Sequence, residues 1–263
     1  MGKRTRWRGG STFVVLLVAV ATPGFAQMET PPSGPAAKPQ EVQASAENDP
    51  IESVNRKIFW FNDKLDVYVL EPTAKAWHWV LPDRVETSIT NFFYNLRFPI
   101  HTLNDLLQGK FKDAGIDVGR FLVNTTVGVA GFFDPATGWG LPLHWEDFGQ
   151  TLGWWGVGPG PYIVLPILGP SDLRDGGGLI VDSAASVTPF FVDTYILLGA
   201  RAVEIVNTRA LYLEEVRKAK ESAFDYYVFV RNAYLQRRLG YINDYQEPTG
   251  TENLEDLYHP EGE

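Results

Sequence analysis

The chain has 263 residues, 44% hydrophobic and 21% charged, enough for one large domain or two small ones. It contains no cysteine, which excludes disulfides and thiol chemistry. Its formal net charge of −9 offers nucleic-acid phosphates no basic face.

At the N-terminus, Lys3, Arg4, Arg6 and Arg8 precede a short apolar run from Phe13 to Ala21 and the small-residue pattern Gly24-Phe25-Ala26. This predicts an export signal over residues 1–26. The run falls well short of the roughly 20 residues that span a bilayer. Cleavage before Gln27 leaves 19 Lys and Arg against 32 Asp and Glu, a net charge of −13. Membrane contact by such a chain must be apolar, because a polybasic patch is lacking. Residues 27–48 are rich in Pro, Ala, Ser and Gln and read as a disordered tether, and residues 246–263 as an acidic disordered tail. One folded domain is expected over 49–245.

That domain opens with Asp49, Pro50 and Glu52 at the spacing of a capping box. Ile51, Val54, Ile58, Phe61, Leu65 and Tyr68 then follow at three-and-four spacing and define one apolar helical face. Asn55, Asn62 and Asp66 lie off it, while Phe59 and Trp60 widen it. The face is read either as a core face or as one lying between protein and lipid. Glu71-Pro72 is expected to break the chain before a short helix carrying Trp77 and Trp79. Asp83 and Glu86 repeat the cap pattern ahead of a helix through Val85, Ile89, Phe92, Phe93 and Leu96. Pro99 and Gly109 bracket a helix with Leu103, Leu106 and Leu107. The next helix carries Phe111, Gly115, Val118, Leu122 and Thr125, its glycines predicting close helix contact.

From Gly128 to Gly178 the composition changes, with 13 Gly, 6 Pro and 4 Trp in 51 residues. Such density argues against regular helix, since glycine wastes backbone entropy and proline removes a donor. A long loop this aromatic must lie against its own core or against lipid. Within it, Gly156 to Pro161 reads as a stiff hairpin wall rather than a phosphate cradle, because Pro159 and Pro161 have no N–H to give. Arg174, Gly176 and Gly177 are read as an anion-binding nest or as a helix entry with a local Arg174–Asp175 pair. Beyond the loop, Leu179 to Val187 is expected to be helical, and Asp193 to Leu239 to form two or three long helices. The fold class is all-α.

Catalytic signatures are sparse. The four histidines, 78, 101, 144 and 259, show no metal-ligand spacing, and neither a G-x-S-x-G elbow nor an H-E-x-x-H motif occurs. His144 near Glu146 and Asp147 reads as a set of solvated or capping groups. No cofactor, metal or catalytic residue is expected. Arg201 stands out at the end of an apolar run in which Asp193 is the only other charge. It is read either as a guanidinium for a phosphate or as a surface side chain snorkelling from an apolar face.

Several short blocks fall in a fixed order from Asp49 to Arg238. They are Asp49-Pro50-Ile51-Glu52, Asn55-Arg56, Phe61-Asn62, Leu107-Gln108-Gly109, Arg120 to Thr125, Gly131-Phe132-Phe133-Asp134, Glu146 to Asp175, Asp225-Tyr226-Tyr227 and Ala233 to Arg238. In these the chain resembles the MlaA (VacJ) family of Gram-negative outer membranes. The resemblance implies a single-domain helical ring or disk embedded in one leaflet, with a long Gly/Pro/Trp-rich hairpin loop and a central amphipathic channel. It implies a non-enzymatic role: removal of mislocalised phospholipid from the outer leaflet and delivery to an MlaC-like periplasmic lipid carrier, beside a trimeric porin. Channel or gate candidates are Ile58, Trp60, Phe61, Phe133, Asp134, Trp154, Trp155 and Arg201. Most members are lipoproteins held through a lipidated cysteine; with none here, the folded body is expected to hold the periplasmic side of the outer membrane. A soluble periplasmic lipid carrier and an exported lipid hydrolase are the competing readings.

Overall fold

The computed structural model describes residues 49–186 and 188–243; the predicted signal, tether and tail lie outside them. In chain order the elements are α1 (Glu52–Leu65), a π-helical turn (Asp66–Leu70), α2 (Glu71–Val80), α3 (Asp83–Leu96), α4 (Phe98–Gln108), α5 (Phe111–Thr126), the one-turn α6 (Pro135–Gly138) and α7 (Phe148–Trp154). There follow β1 (Tyr162–Leu165), β2 (Gly169–Asp172), α8 (Leu173–Ala185), a 3-10 turn (Thr188–Phe190), α9 (Thr194–Leu211), α10 (Leu213–Ser222) and α11 (Tyr226–Ile242). The strands form an antiparallel hairpin in register Tyr162–Asp172 to Leu165–Gly169. The fold is all-α around this one hairpin, and no helix among the described residues is long and apolar enough to cross a membrane.

Three of the helices, α1, α4 and α5, are turned inside out relative to a water-soluble bundle. On α1 the predicted apolar face is the exposed one: Ile51, Val54, Phe61 and, past its end, Tyr68 face outward. The buried positions are Asn55, Phe59, Asn62 and Asp66, spaced four, three and four residues apart and hence on one helical stripe. On α4 the three predicted leucines are exposed while His101, Asn104, Asp105 and Gln108 are buried. On α5, Phe111, Val118 and Leu122 are exposed, and Asp117, Arg120 and Asn124 are buried with Ala114. Among the described residues 25 buried polar side chains outnumber 14 buried apolar ones, and 37 large apolar side chains are exposed. A monomer in water rarely exposes contiguous apolar surface on that scale.

Polar burial is tolerable only when hydrogen bonds replace water. Asn55 Nδ2 donates to Asp49 Oδ1 (2.8 Å) and to the Tyr162 carbonyl (3.0 Å), and its Oδ1 accepts from Val164 N (2.9 Å). Two turns on, Asn62 donates to the Leu165 carbonyl (2.9 Å) and accepts from Ile167 N (2.7 Å). The free edge of β1 and the turn after it are thus closed by side-chain amides of α1. Seven residues of helix rise about 10.5 Å and three of strand about 10 Å, so two asparagines at this spacing reach both ends of the edge. Asn207 plays a similar part, accepting from Trp77 Nε1 (3.1 Å) and donating to the Glu86 carbonyl (2.9 Å), which joins α2, α3 and α9. The small apolar core lies beside these contacts: Phe59 of α1, Tyr162 and Val164 of β1, and Tyr227, Val230 and Leu235 of α11. Asn55→Leu is expected to orphan the Val164 N–H and the Tyr162 C=O. The expected loss is about 2–6 kcal/mol, from about 1–3 per stranded group, read by denaturant unfolding in detergent.

Other expectations are corrected. Asp49 caps nothing: its carboxylate takes Asn55, the Tyr227 hydroxyl and Arg231, and no side chain caps α1. Glu86 is fully buried against His78 rather than capping α3. Pro72 does not break the chain: helix runs on from α1 into α2 through the π turn, whose wider pairing, with Glu71 N–H on the Asp66 carbonyl, lies directly ahead of the proline. Gly115 faces open space and Gly119 makes only ordinary contact with Leu141; backbone approaches closely instead at Gly128, against Asn124 and Phe133, and at Gly178, against Gly149. The glycine-rich stretch does hold helix. Asp147 caps α7 through Gln150 N (2.8 Å) and Asp172 caps α8 through Asp175 N (2.7 Å), so α8 begins at Leu173 rather than Leu179. Capping and close packing there outweigh glycine's entropic cost. The three long C-terminal helices stand as expected.

Candidate functional site

Two cavities open between the polar helix faces. The larger, of about 130 Å³, is lined by His101 of α4, Trp145 to Asp147, Asp175 and Asp182 of α8, and Tyr234, Arg237, Arg238 and Tyr241 of α11. The smaller, of about 60 Å³, lies between α3, the start of α4 and α9 and contains Arg97, Arg201 and Glu204. Arg97 and Ile100 line both.

Arg238 organises the larger cavity. It meets Asp147 at 2.6 and 2.9 Å and Asp175 at 2.5 Å, and Asp175 also accepts from the Tyr234 hydroxyl (2.5 Å). Burial works against the Asp147 charge, yet the guanidinium holds its carboxyl down at about 2. Asp182 has no such partner; it accepts only from Asn104 (3.1 Å) and Phe148 N (2.9 Å). Burial, with the charge of Asp147, pushes it up to about 7. Its folded pKa exceeds the unfolded one, so its contribution to stability is full below about pH 4 and declines as pH rises to about 7. Asp182→Asn is therefore expected to flatten that part of the stability–pH curve, which unfolding from pH 4 to 8 would measure. Buried His101 is held neutral, down at about 4, by desolvation, with Nδ1 2.8 Å from the Glu146 carbonyl.

In the smaller cavity Arg201 is buried rather than snorkelling at a surface. One amino group pairs with Glu204 (2.6 Å), and Glu204 is also paired with Arg97. Nε and Nη2 of Arg201 are buried without a hydrogen-bond partner. Burial, with Glu204 acting against it, brings the guanidinium down to about 10. Two desolvated donors on a side chain that borders this cavity suit an anionic oxygen.

Of the channel or gate candidates named from the sequence, Arg201 is the one that lines these cavities. Ile58 packs on the apolar core, and Trp60 and Phe61 lie on the outer face of α1. Phe133 is exposed; Asp134 caps α6 and holds Arg120 (2.7 Å) and Asn124 (2.9 Å). Trp154 and Trp155 are half exposed, the latter donating its indole N–H to Leu107 O (3.1 Å). Arg174, Gly176 and Gly177 form the first turn of α8, where Arg174 pairs with Asp175 (2.9 Å), so the nest gives way to the helix entry. Glu146 is not solvated either: it is buried against Gln108 (2.6 Å) and Lys110 (3.0 Å). Of the other cavity residues, Asp182 escaped sequence reasoning, and Tyr234, Arg237 and Arg238 entered it only within the block Ala233 to Arg238, without a role. The signal for them was a second, polar stripe with helical period, most regular at His101, Asn104, Asp105 and Gln108.

A helical body with polar cavities inside and an apolar exterior belongs to the class of proteins that work at a lipid boundary. The chain belongs to the MlaA lipoprotein family, whose model matches residues 47–240. It is 36% identical over 194 residues to the intermembrane phospholipid transport system lipoprotein MlaA of Escherichia coli, covering 72% of this chain and 76% of that protein. With the Haemophilus influenzae protein of the same name it shares 36% identity over 220 residues, 81% of this chain and 87% of that one. An uncharacterized Rickettsia conorii protein is 37% identical over 186 residues, 70% and 74% of the two chains. A solved structure described as "Structural basis for maintenance of bacterial outer membrane lipid asymmetry" superposes with a TM-score of 0.66 at 36% identity, covering 74% of this chain and 99% of that one.

Proposed function

We propose that this protein is the outer-membrane component of an intermembrane phospholipid transport system and maintains lipid asymmetry by withdrawing phospholipid from the outer leaflet. The observation that carries this is the inversion of its helices: apolar side chains face outward and charged cavities lie within. Such a body gains by sitting in hydrocarbon, and on this reading it rests in one leaflet on the periplasmic side, no helix among the described residues being long and apolar enough to span. A phospholipid crossing it needs polar groups for its phosphate and apolar walls for its chains, and both cavities combine the two. The folded body itself holds the membrane, lipid passes to an MlaC-like carrier, and a trimeric porin is the neighbouring partner; these last two rest on the family resemblance. The role is transport rather than catalysis. A soluble carrier would have to hide the surface exposed here.

The test is fractionation of the exporting cell with an assay of surface phospholipid. The protein should remain with outer membranes after a high-salt wash, and its loss should raise outer-leaflet phospholipid. Release by osmotic shock with unchanged asymmetry overturns the proposal. Within it, Arg201 is the phosphate contact. Arg201→Gln leaves Glu204 paired with Arg97, so the fold should persist while surface phospholipid rises severalfold. Normal asymmetry at normal abundance would leave Arg201 a structural ion-pair member.

A further inference from the structure

Apart from both cavities, the fold brings together three groups that the sequence keeps far apart. Asp105 comes from the buried stripe of α4, Asp117 from that of α5, and His144 from the irregular segment ahead of α7. His144 Nε2 lies 3.1 Å from Asp105 Oδ2 and 3.5 Å from Asp117 Oδ1, and one ligand atom from each residue falls within 4.8 Å of the others. Three ligands each about 2.0–2.1 Å from a tetrahedral ion stand about 3.3–3.4 Å apart, so the two measured edges bracket that value. The side chains of Asp105 and Asp117 are 0% and 2% exposed, and Asp105 Oδ1 and Asp117 Oδ2 are buried without a hydrogen-bond donor. Two buried carboxyls that share one imidazole and keep an oxygen each to spare need a balancing cation or proton, which a bound ion supplies as well as a proton on His144 does.

We infer that Asp105, Asp117 and His144 form a divalent-cation site of the zinc type, with a fourth position left to water. Imidazole and carboxylate donors suit that ion. The site is reachable, since the His144 side chain is 23% exposed. It is also held in place from outside: the Tyr94 hydroxyl donates to the His144 carbonyl (2.6 Å), and His101 grips the Glu146 backbone two residues on. Arg120, on the same stripe of α5, is engaged by Asp134, Thr137 and the Leu141 carbonyl. An ion here joins α4, α5 and the segment that continues into Trp145, Glu146 and Asp147. Its role is to brace one wall of the larger cavity. The absence of metal-ligand spacing among the histidines is no obstacle, because each ligand comes from a different element. The cluster of His78, Asp83 and Glu86 is a weaker competitor, as His78 and Asp83 are both exposed.

The test uses the full chain in detergent, stripped with a chelator and titrated with Zn2+ alone and then with Co2+. The expected result is one Zn2+ per chain, a thermal midpoint that rises with free Zn2+, and the intense visible bands of tetrahedral Co2+. His144→Gln and Asp117→Asn should weaken binding by at least about tenfold, a loss typical even of groups one shell beyond the ligands, while His78→Gln should change nothing. Asp117→His, which keeps a ligand, should retain binding with a shifted Co2+ spectrum. Should the apo variants fail to fold, Zn2+ must still shield His144, and not His78, from carbethoxylation in the wild-type chain, read by mass spectrometry. No stoichiometric binding, binding indifferent to His144 and Asp117, or shielding of His78 instead would each overturn the site.

Discussion

Replacing Phe61, Phe111 and Leu122 together by Asp is expected to release the protein from membranes while leaving it folded. All three are exposed, on α1 and α5, and none contributes to the buried apolar cluster. In water such changes are nearly neutral, because no packed contact is lost. In hydrocarbon each carboxylate costs about 2.5–3.5 kcal/mol at full depth, so even a partial share at each of three positions shifts partitioning more than a hundredfold. Vesicle flotation of purified protein, with circular dichroism as the control for folding, reads the outcome. A triple variant that floats with vesicles as well as wild type would mean that this surface meets protein, not lipid. Loss of the helical spectrum would mean that these side chains support the fold.

Arg238→Met is expected to cost about 3–5 kcal/mol, because it strands Asp147 and Asp175 without their shared guanidinium beside Asp182. Against a typical total of about 5–15 kcal/mol, that brings the fold near its limit, and steady-state abundance should fall sharply. The variant has a second signature. Without Arg238 the Asp147 carboxyl, no longer held down at about 2, rises above its unfolded pKa because burial then dominates, so the deficit should shrink as pH falls toward about 4. Denaturant unfolding of both proteins at pH 4.5 and 7.5 measures it. A deficit independent of pH would assign the loss to packing of the Arg238 stem rather than to the stranded charges.

Both expectations depend on which way the helices face, and here sequence and structure part. The periodicity of Ile51, Val54, Phe61 and Tyr68 located α1 correctly and said nothing about its partner. A three-and-four repeat marks a face that avoids water, and lipid satisfies it as well as a protein core does. The deciding sign was the equally regular stripe of Asn55, Asn62 and Asp66 beside it, whose amides and carboxylate had hydrogen-bond partners more than a hundred residues away. Arg201 shows the same gap. A lone guanidinium at the end of an apolar run looks alike whether it snorkels or is buried, until Glu204 and Arg97 are placed around it.

By itself the sequence determined the all-α class, the helical segments and their rough ends, and, through ordered blocks from Asp49 to Arg238, the family. These follow from local propensity, hydrophobic period and short motifs, which act within a few residues of chain. The tertiary structure decided which stripe of each helix turns inward, that glycine-rich Leu173 to Gly178 enters a helix, and that Arg238 gathers Asp147 and Asp175. It alone brought His144 between Asp105 and Asp117. Each of these depends on contacts between segments distant in sequence, and whether a buried polar group is a defect or a site is settled only by the partner that long-range packing delivers to it.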